Sequence, residues 1–208
     1  MPSAPIEAFT SPYVVLAADN VDTDQIIPAR FLKTTERTGL GDVAFHDWRY
    51  RPDGTPDPAF PLNHPGAHDA HVLVAGRNFG CGSSREHAVW ALLGAGFRAV
   101  VSAEFADIFR GNALGNGLLP VQVDAGVVNR LMAAARHGHP HVTVDLASQT
   151  LILPDGEVAS FPIAPFAKHC LLHGIDELDF LLGVEPDVSA YEAAHPPRVS
   201  TVVAGAPA

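Results

Sequence analysis

The stretch from Val72 to Phe97 leaves this chain few choices of fold. Val72-Leu73-Val74-Ala75 is a short apolar run with two β-branched residues, suited to a strand buried on both faces and too short for a helix. Gly76, Gly80 and Gly82 then break any regular element. From about Arg85, the residues Ala88, Val89, Leu92, Leu93 and Phe97 recur at near-helical spacing until the glycines at 94 and 96. A buried strand, a glycine loop and an amphipathic helix make half of a βαβ unit, which needs parallel neighbours.

The flanking sequence provides them. Residues 13–17, 98–101 and 118–123 read as strands, 105–111 and 125–136 as helices. Residues 142–146, 151–153 and 158–163 read as further strands, the last two joined by the turn signal Asp155-Gly156. Residues 164–172 and 176–182 read as two short helices separated by Gly174, and the tail after Tyr191 has two prolines and no periodicity, the pattern of a disordered end. Between residues 30 and 71 lies a proline-punctuated excursion whose cluster Phe45-His46-Asp47-Trp48-Arg49-Tyr50 favours a packed surface over disorder. In an open parallel sheet the site lies at the carboxyl ends of the strands, which places Gly80 to Ser84 at its rim.

Composition removes several function classes. A formal net charge of -10 without clustered Lys and Arg argues against a nucleic-acid surface. No run of eighteen apolar residues and no basic-then-apolar leader is present, so the expected setting is the cytoplasm, away from membranes. Cys81 and Cys170 are too few for a disulfide framework or for the thiolate cage of an iron–sulfur cluster, which would have to come from another chain. Asp19, Asp22 and Asp24 lack the rest of a calcium loop and read as turn and cap residues. His64, His68 and His71, like His137, His139 and His141, lack zinc-ligand spacing and read as solvated.

The chemistry concentrates in Asn78-Phe79-Gly80-Cys81-Gly82-Ser83-Ser84-Arg85-Glu86-His87. Ser83 and Glu86 stand in capping-box relation, with Ser83 as the expected N-cap. A helix N-terminus offers unpaired amides and a partial positive charge, and glycines let a ligand approach the backbone. Arg85 adds a fork suited to a carboxylate or phosphate, although a cation there opposes the helix dipole. The functional reading is an anionic substrate on Arg85 and a stabilised serine alkoxide at 83 or 84. The bland one is a capped helix with a solvated arginine.

Several blocks together resemble a known family. Asn20-Val21-Asp22-Thr23-Asp24-Gln25-Ile26-Ile27-Pro28, the block from Asn78 to His87, Phe105-Ala106-Asp107-Ile108-Phe109 and Leu118-Leu119-Pro120-Val121 stand in the order and spacing of the small subunits of 3-isopropylmalate dehydratases, in the aconitase superfamily. Segments around Arg37-Thr38-Gly39, Asp47 to Tyr50 and His169-Cys170 are similar too, so the resemblance covers nearly the whole chain. It implies an α/β chain forming a three-layer β/β/α swivelling domain, like the aconitase C-terminal domain, over residues 1–190, with 191–208 as the disordered tail. It implies a heterodimer with a large subunit that carries the [4Fe-4S] cluster, and no cofactor or metal on this chain. The implied reaction is the second step of leucine biosynthesis, isomerising 2-isopropylmalate to 3-isopropylmalate through 2-isopropylmaleate.

By the same resemblance Ser83 is the base and Asp24 a second catalytic residue. Arg85 and Ser84 bind substrate, Arg37 serves as a further substrate arginine with Arg30 as its rival, and Phe31 and Leu32 of Phe31-Leu32-Lys33-Thr34 meet the variable side chain. Cys81 departs from the aconitase pattern. A related alkylmalate or homoaconitate hydro-lyase stays open as an alternative. A non-enzymatic anion-binding module is the more distant one, since Gly76, Gly80 and Gly82 match neither phosphate-loop nor dinucleotide patterns.

Overall fold

The computed structural model describes residues 4–33, 37–138, 140–195 and 199, so Thr34, His139 and most of the tail lie outside the described residues. In chain order its elements are β1 (Phe9–Leu16), α1 (Thr23–Ile26), α2 (His46–Arg49), β2 (Val72–Ala75), α3 (Glu86–Gly94), β3 (Ala99–Ser102) and α4 (Asp107–Gly115). There follow β4 (Leu119–Gln122), α5 (Ala125–Ala134), β5 (His141–Asp145), β6 (Thr150–Ile152), β7 (Val158–Ser160), α6 (Pro165–His173) and α7 (Glu177–Ala194).

The strands form one sheet in the order β4-β3-β2-β1-β5-β6-β7. β1 belongs to both halves of it: Tyr13 to Leu16 run parallel to β2, whereas Phe9 to Pro12 run antiparallel to β5. β2, β3 and β4 continue the parallel half; β6 and β7 continue the antiparallel one. β1 therefore starts four residues before the apolar run that announces it, because Phe9-Thr10-Ser11-Pro12 is specified by its partner β5 and not by its own hydrophobicity.

The parallel strands are buried on both faces and alternate between two cores. Leu73, Ala75 and Val100 point with Val14 and Leu16 into a core with Ala88, Val89, Ala91 and Leu92 of α3. Phe45, Phe60 and Leu62 from the proline-rich excursion lie in the same core, so that excursion is a packed cover. Val72, Val74, Ala99, Val101, Leu119 and Val121 point the other way, onto Val127, Val128 and Leu131 of α5 and onto Val142, Val144 and Leu151 of the antiparallel strands. The antiparallel half thus curls over one face of the parallel half while α3 covers the other, giving the β/β/α layering that the resemblance implies.

Some boundaries differ from expectation. Phe105 and Ala106 enter α4 in extended form, because Phe105 bridges to Phe79 and the Ala106 amide donates to the Phe79 carbonyl, so the helix starts at Asp107. β7 stops at Ser160, and Pro162 just beyond has no amide to extend a ladder. The helix expected to end at residue 182 continues through Pro186 to Ala194, into the stretch expected to be disordered, and begins with an Asp176 capping box.

Tyr13 ties the layers together: its buried hydroxyl donates to the Leu131 carbonyl of α5 at 2.7 Å. Burial pushes its pKa up to about 12. An unfolded tyrosine titrates near ~10, so the stability from keeping Tyr13 neutral is complete below that pH and is lost as pH rises toward 12. Tyr13→Phe should cost about 1 kcal/mol at neutral pH, since the Leu131 carbonyl loses its donor. Urea midpoints at pH 8 and pH 11 check this, and the gap between wild type and variant should shrink at the higher pH.

Candidate active site

The site is built where two segments about sixty residues apart close on each other, one following β1 and one following β2. The Gly80 and Cys81 amides donate to the Val21 carbonyl at 2.8 and 3.1 Å, and the Thr23 amide donates back to the Cys81 carbonyl at 2.9 Å. Asn20 and Asn78 both adopt left-handed backbone, which asparagine tolerates, and join side chain to side chain at 2.9 Å. Below this seam Phe79 is fully buried, edge-on to Phe105 and Phe109.

Asp22 starts α1 as the N-cap of a capping box: its carboxylate accepts from the Asp24 amide at 2.6 Å, and Gln25 accepts from the Asp22 amide at 2.7 Å. The aspartates therefore do serve as caps and turn residues, with Asp19 accepting from the Arg77 amide at 2.8 Å. Capping puts Asp24 in the first turn of α1, where it forms an ion pair with Arg85 across the seam. The Arg85 side chain is 19% exposed and that of Asp24 48%.

The capping box expected at Ser83 is not formed. Arg85, in extended conformation, is the N-cap of α3, and the helix begins without a side-chain cap. A long-range partner takes the Glu86 end of the local pattern, while the Ser83 end is held by its carbonyl and not by its hydroxyl. Thr23 donates its hydroxyl to the Ser83 carbonyl at 2.9 Å, and Asn116 at the end of α4 donates to the Glu86 carboxylate at 2.7 Å. Ser83 and Ser84 are exposed, and no hydrogen bond among the described residues uses their hydroxyls. They sit at the open, positive end of α3, beside Arg85.

The other expected residues lie around this turn. The exposed Arg37 places its guanidinium 4.8 Å above the ring of Trp90 on α3, whose ring is 4.6 Å from that of His87. Arg37 makes no ion pair among the described residues, whereas Arg30 is held by Asp47 and lies 2.9 Å from His46. That leaves Arg37 the freer of the two candidate arginines. Phe31 and Leu32 are half-buried against the core shared with α3, with Phe31 5.0 Å from the His46 ring; Lys33 is exposed.

A family model described as the aconitase C-terminal domain matches residues 12–126, and one described as LeuD_N matches residues 129–165. The 3-isopropylmalate dehydratase small subunit of Chloroflexus aurantiacus is 57% identical over 198 residues, covering 95% of this chain and 98% of its own. That of Anaeromyxobacter dehalogenans is 57% identical over 188 residues, covering 90% and 97%. This chain belongs to the 3-isopropylmalate dehydratase small-subunit family. A crystal structure of 3-isopropylmalate dehydratase (leuD) from Methanocaldococcus jannaschii agrees in fold, with a TM-score of 0.64 at 27% identity over 88% of this chain and 99% of that one.

The thiols of this small subunit do not fit an iron–sulfur cluster. Cys81 donates to the Asn20 carbonyl at 3.2 Å in the seam, while Cys170 is buried in α6. Burial raises both thiol pKa values, helped by Asp22 at Cys81 and by Glu177 and Asp176 at Cys170, so neither is a ready thiolate. Among the described residues no group of three His, Cys, Asp or Glu is placed to hold a metal ion.

Two site residues escaped sequence reasoning in the roles they hold: Thr23, whose partner is sixty residues away, and Gly82, whose backbone is left-handed at φ +85°. A Cβ at Gly82 would lie 2.3 Å from the Asp22 carboxylate, which its capping bond prevents from moving aside. Gly82→Ala should therefore combine a left-handed penalty of about 1–2 kcal/mol with loss of the α1 cap, about 1 kcal/mol. Denaturant unfolding should show a loss of roughly 2–3 kcal/mol.

Proposed function

We propose that this chain is the small subunit of a two-chain 3-isopropylmalate dehydratase, isomerising 2-isopropylmalate to 3-isopropylmalate with a large subunit that completes the site. The observation that carries this reading is the exposed Ser83-Ser84-Arg85 turn at the uncapped start of α3, with Arg85 held against Asp24. In this reading a [4Fe-4S] cluster belongs to the large subunit and supplies the Lewis acid for the departing hydroxyl.

The work of this chain is to hold carboxylates and move one proton. Asp24 engages one terminal nitrogen of Arg85 and leaves its remaining N–H groups for a substrate carboxylate, while Arg37 approaches from above Trp90. Ser83 Oγ, as the base, takes the proton from the carbon beside a carboxylate. The C–H electron pair becomes the C=C bond of 2-isopropylmaleate as the neighbouring C–O bond breaks; water then adds with the opposite regiochemistry, and Ser83 returns a proton. An alkoxide is a reasonable base here because the α3 N-terminus and Arg85 both stabilise negative charge.

The purified chain alone should be folded and inactive, and adding the large subunit should restore turnover of 2-isopropylmalate. In the assembled enzyme Ser83→Ala should lower kcat by several orders of magnitude while KM changes little, as expected of a group acting in the transition state. Turnover by the chain alone, or near-normal kcat in Ser83→Ala, overturns the reading.

Substrate choice follows from the half-buried Phe31 and Leu32 and the outward Lys33. An isopropyl group against this wall is worth about 2 kcal/mol at ~0.8 per carbon, whereas a carboxylate would lose hydration without a partner. The expected ratio of kcat/KM for isopropylmalate over a carboxyalkyl analogue is about 30-fold or more. Preference for the acidic analogue would assign specificity to Lys33.

A further inference from the structure

We infer that Thr23 is a positioning residue for Ser83, acting on the proposed base through the Ser83 carbonyl. The inference rests on the assignment of Ser83 as base. Thr23 is 1% exposed and lies between the buried Val21 and Ile26, an apolar setting in which an unbonded hydroxyl would be costly. A buried hydroxyl has no water to fall back on and must find a protein partner, and the partner is the Ser83 carbonyl at 2.9 Å. Among the described residues this is the one side-chain hydrogen bond made to residues 82–84.

The bond fixes more than a peptide. Just before Ser83, Gly82 lies left-handed against the Asp22 carboxylate, and the Cys81 carbonyl is held by the Thr23 amide. Just after it, Arg85 is tied to Asp24. With the chain held on both sides, pinning the Ser83 carbonyl sets the rotation about its Cα–C bond and leaves the Oγ only its staggered χ1 positions. Thr23 and Asp24 are adjacent, so one turn of α1 fixes the base through Thr23 and the arginine through Asp24. Freed of the hydroxyl, the Ser83 peptide can rotate and carry Oγ by about 1 Å, a misplacement worth up to roughly 100-fold in rate.

The test uses the assembled two-subunit enzyme with 2-isopropylmalate and compares Thr23→Val, Thr23→Ser, Ser83→Ala and the Thr23→Val/Ser83→Ala double variant. Thr23→Val should lower kcat about 10- to 100-fold with KM within about threefold, and Thr23→Ser should restore kcat to near wild type. The double variant should be no slower than Ser83→Ala, because Thr23 has nothing to position once the base is gone. If Thr23→Val does not assemble, Thr23→Cys against Thr23→Ser makes the same comparison, since a thiol of similar shape is a poor donor. Full kcat in Thr23→Val, a fall confined to KM, or a double variant slower by the product of the two effects each overturns the inference. Near-normal turnover in Ser83→Ala instead removes the base assignment on which it rests, and the two failures are thus distinguished.

Discussion

The candidate site depends on a short backbone seam, where residues 20–23 and 77–81 exchange amide and carbonyl hydrogen bonds beyond the ends of β1 and β2. Two adjacent parallel strands deliver these segments side by side. Buried backbone groups must be paired, so the segments pair with each other. The pairing turns two irregular loops into one rigid floor. Asp24 and Arg85 meet only because of it, and the Ser83 carbonyl reaches Thr23 only because of it.

The scaffold was largely legible in the sequence because its strongest signals are local. Val72-Leu73-Val74-Ala75 forms β2 with those boundaries, and its residues alternate between the two cores as a doubly buried strand should. The helical spacing after Arg85 yields α3, ending at Gly94. The resemblance of several motif blocks in order identified the family, which physical pattern alone left between an enzyme subunit and an anion-binding module.

What was not legible depends on partners remote in sequence. Ser-x-x-Glu at 83–86 satisfies the local rule for a capping box, yet Asn116 claims the Glu86 carboxylate, and the helix opens at Arg85. Asp22-Thr23-Asp24-Gln25, by contrast, reads as turn and cap residues and holds a capping box, but nothing local announces that the Thr23 hydroxyl bonds the Ser83 carbonyl or that the Asp24 carboxylate pairs with Arg85. The first half of β1 is similarly silent, since Phe9 to Pro12 become a strand by pairing with β5. α7 passes a proline and shows Leu178, Leu181, Leu182, Val188 and Tyr191 to solvent, so no core-facing stripe announces its length.

The double membership of β1 has a consequence for how the chain should be divided. The two family models that tile it meet between residues 126 and 129, in the first turn of α5, as if one module ended and another began there. The physical structure has no joint at that place: Val127 and Val128 share a core with strands on both sides of the border, and β1 pairs with β2 from one module and β5 from the other. A chain cut at this border would leave β1 with one ladder unmatched and α5 with half its packing.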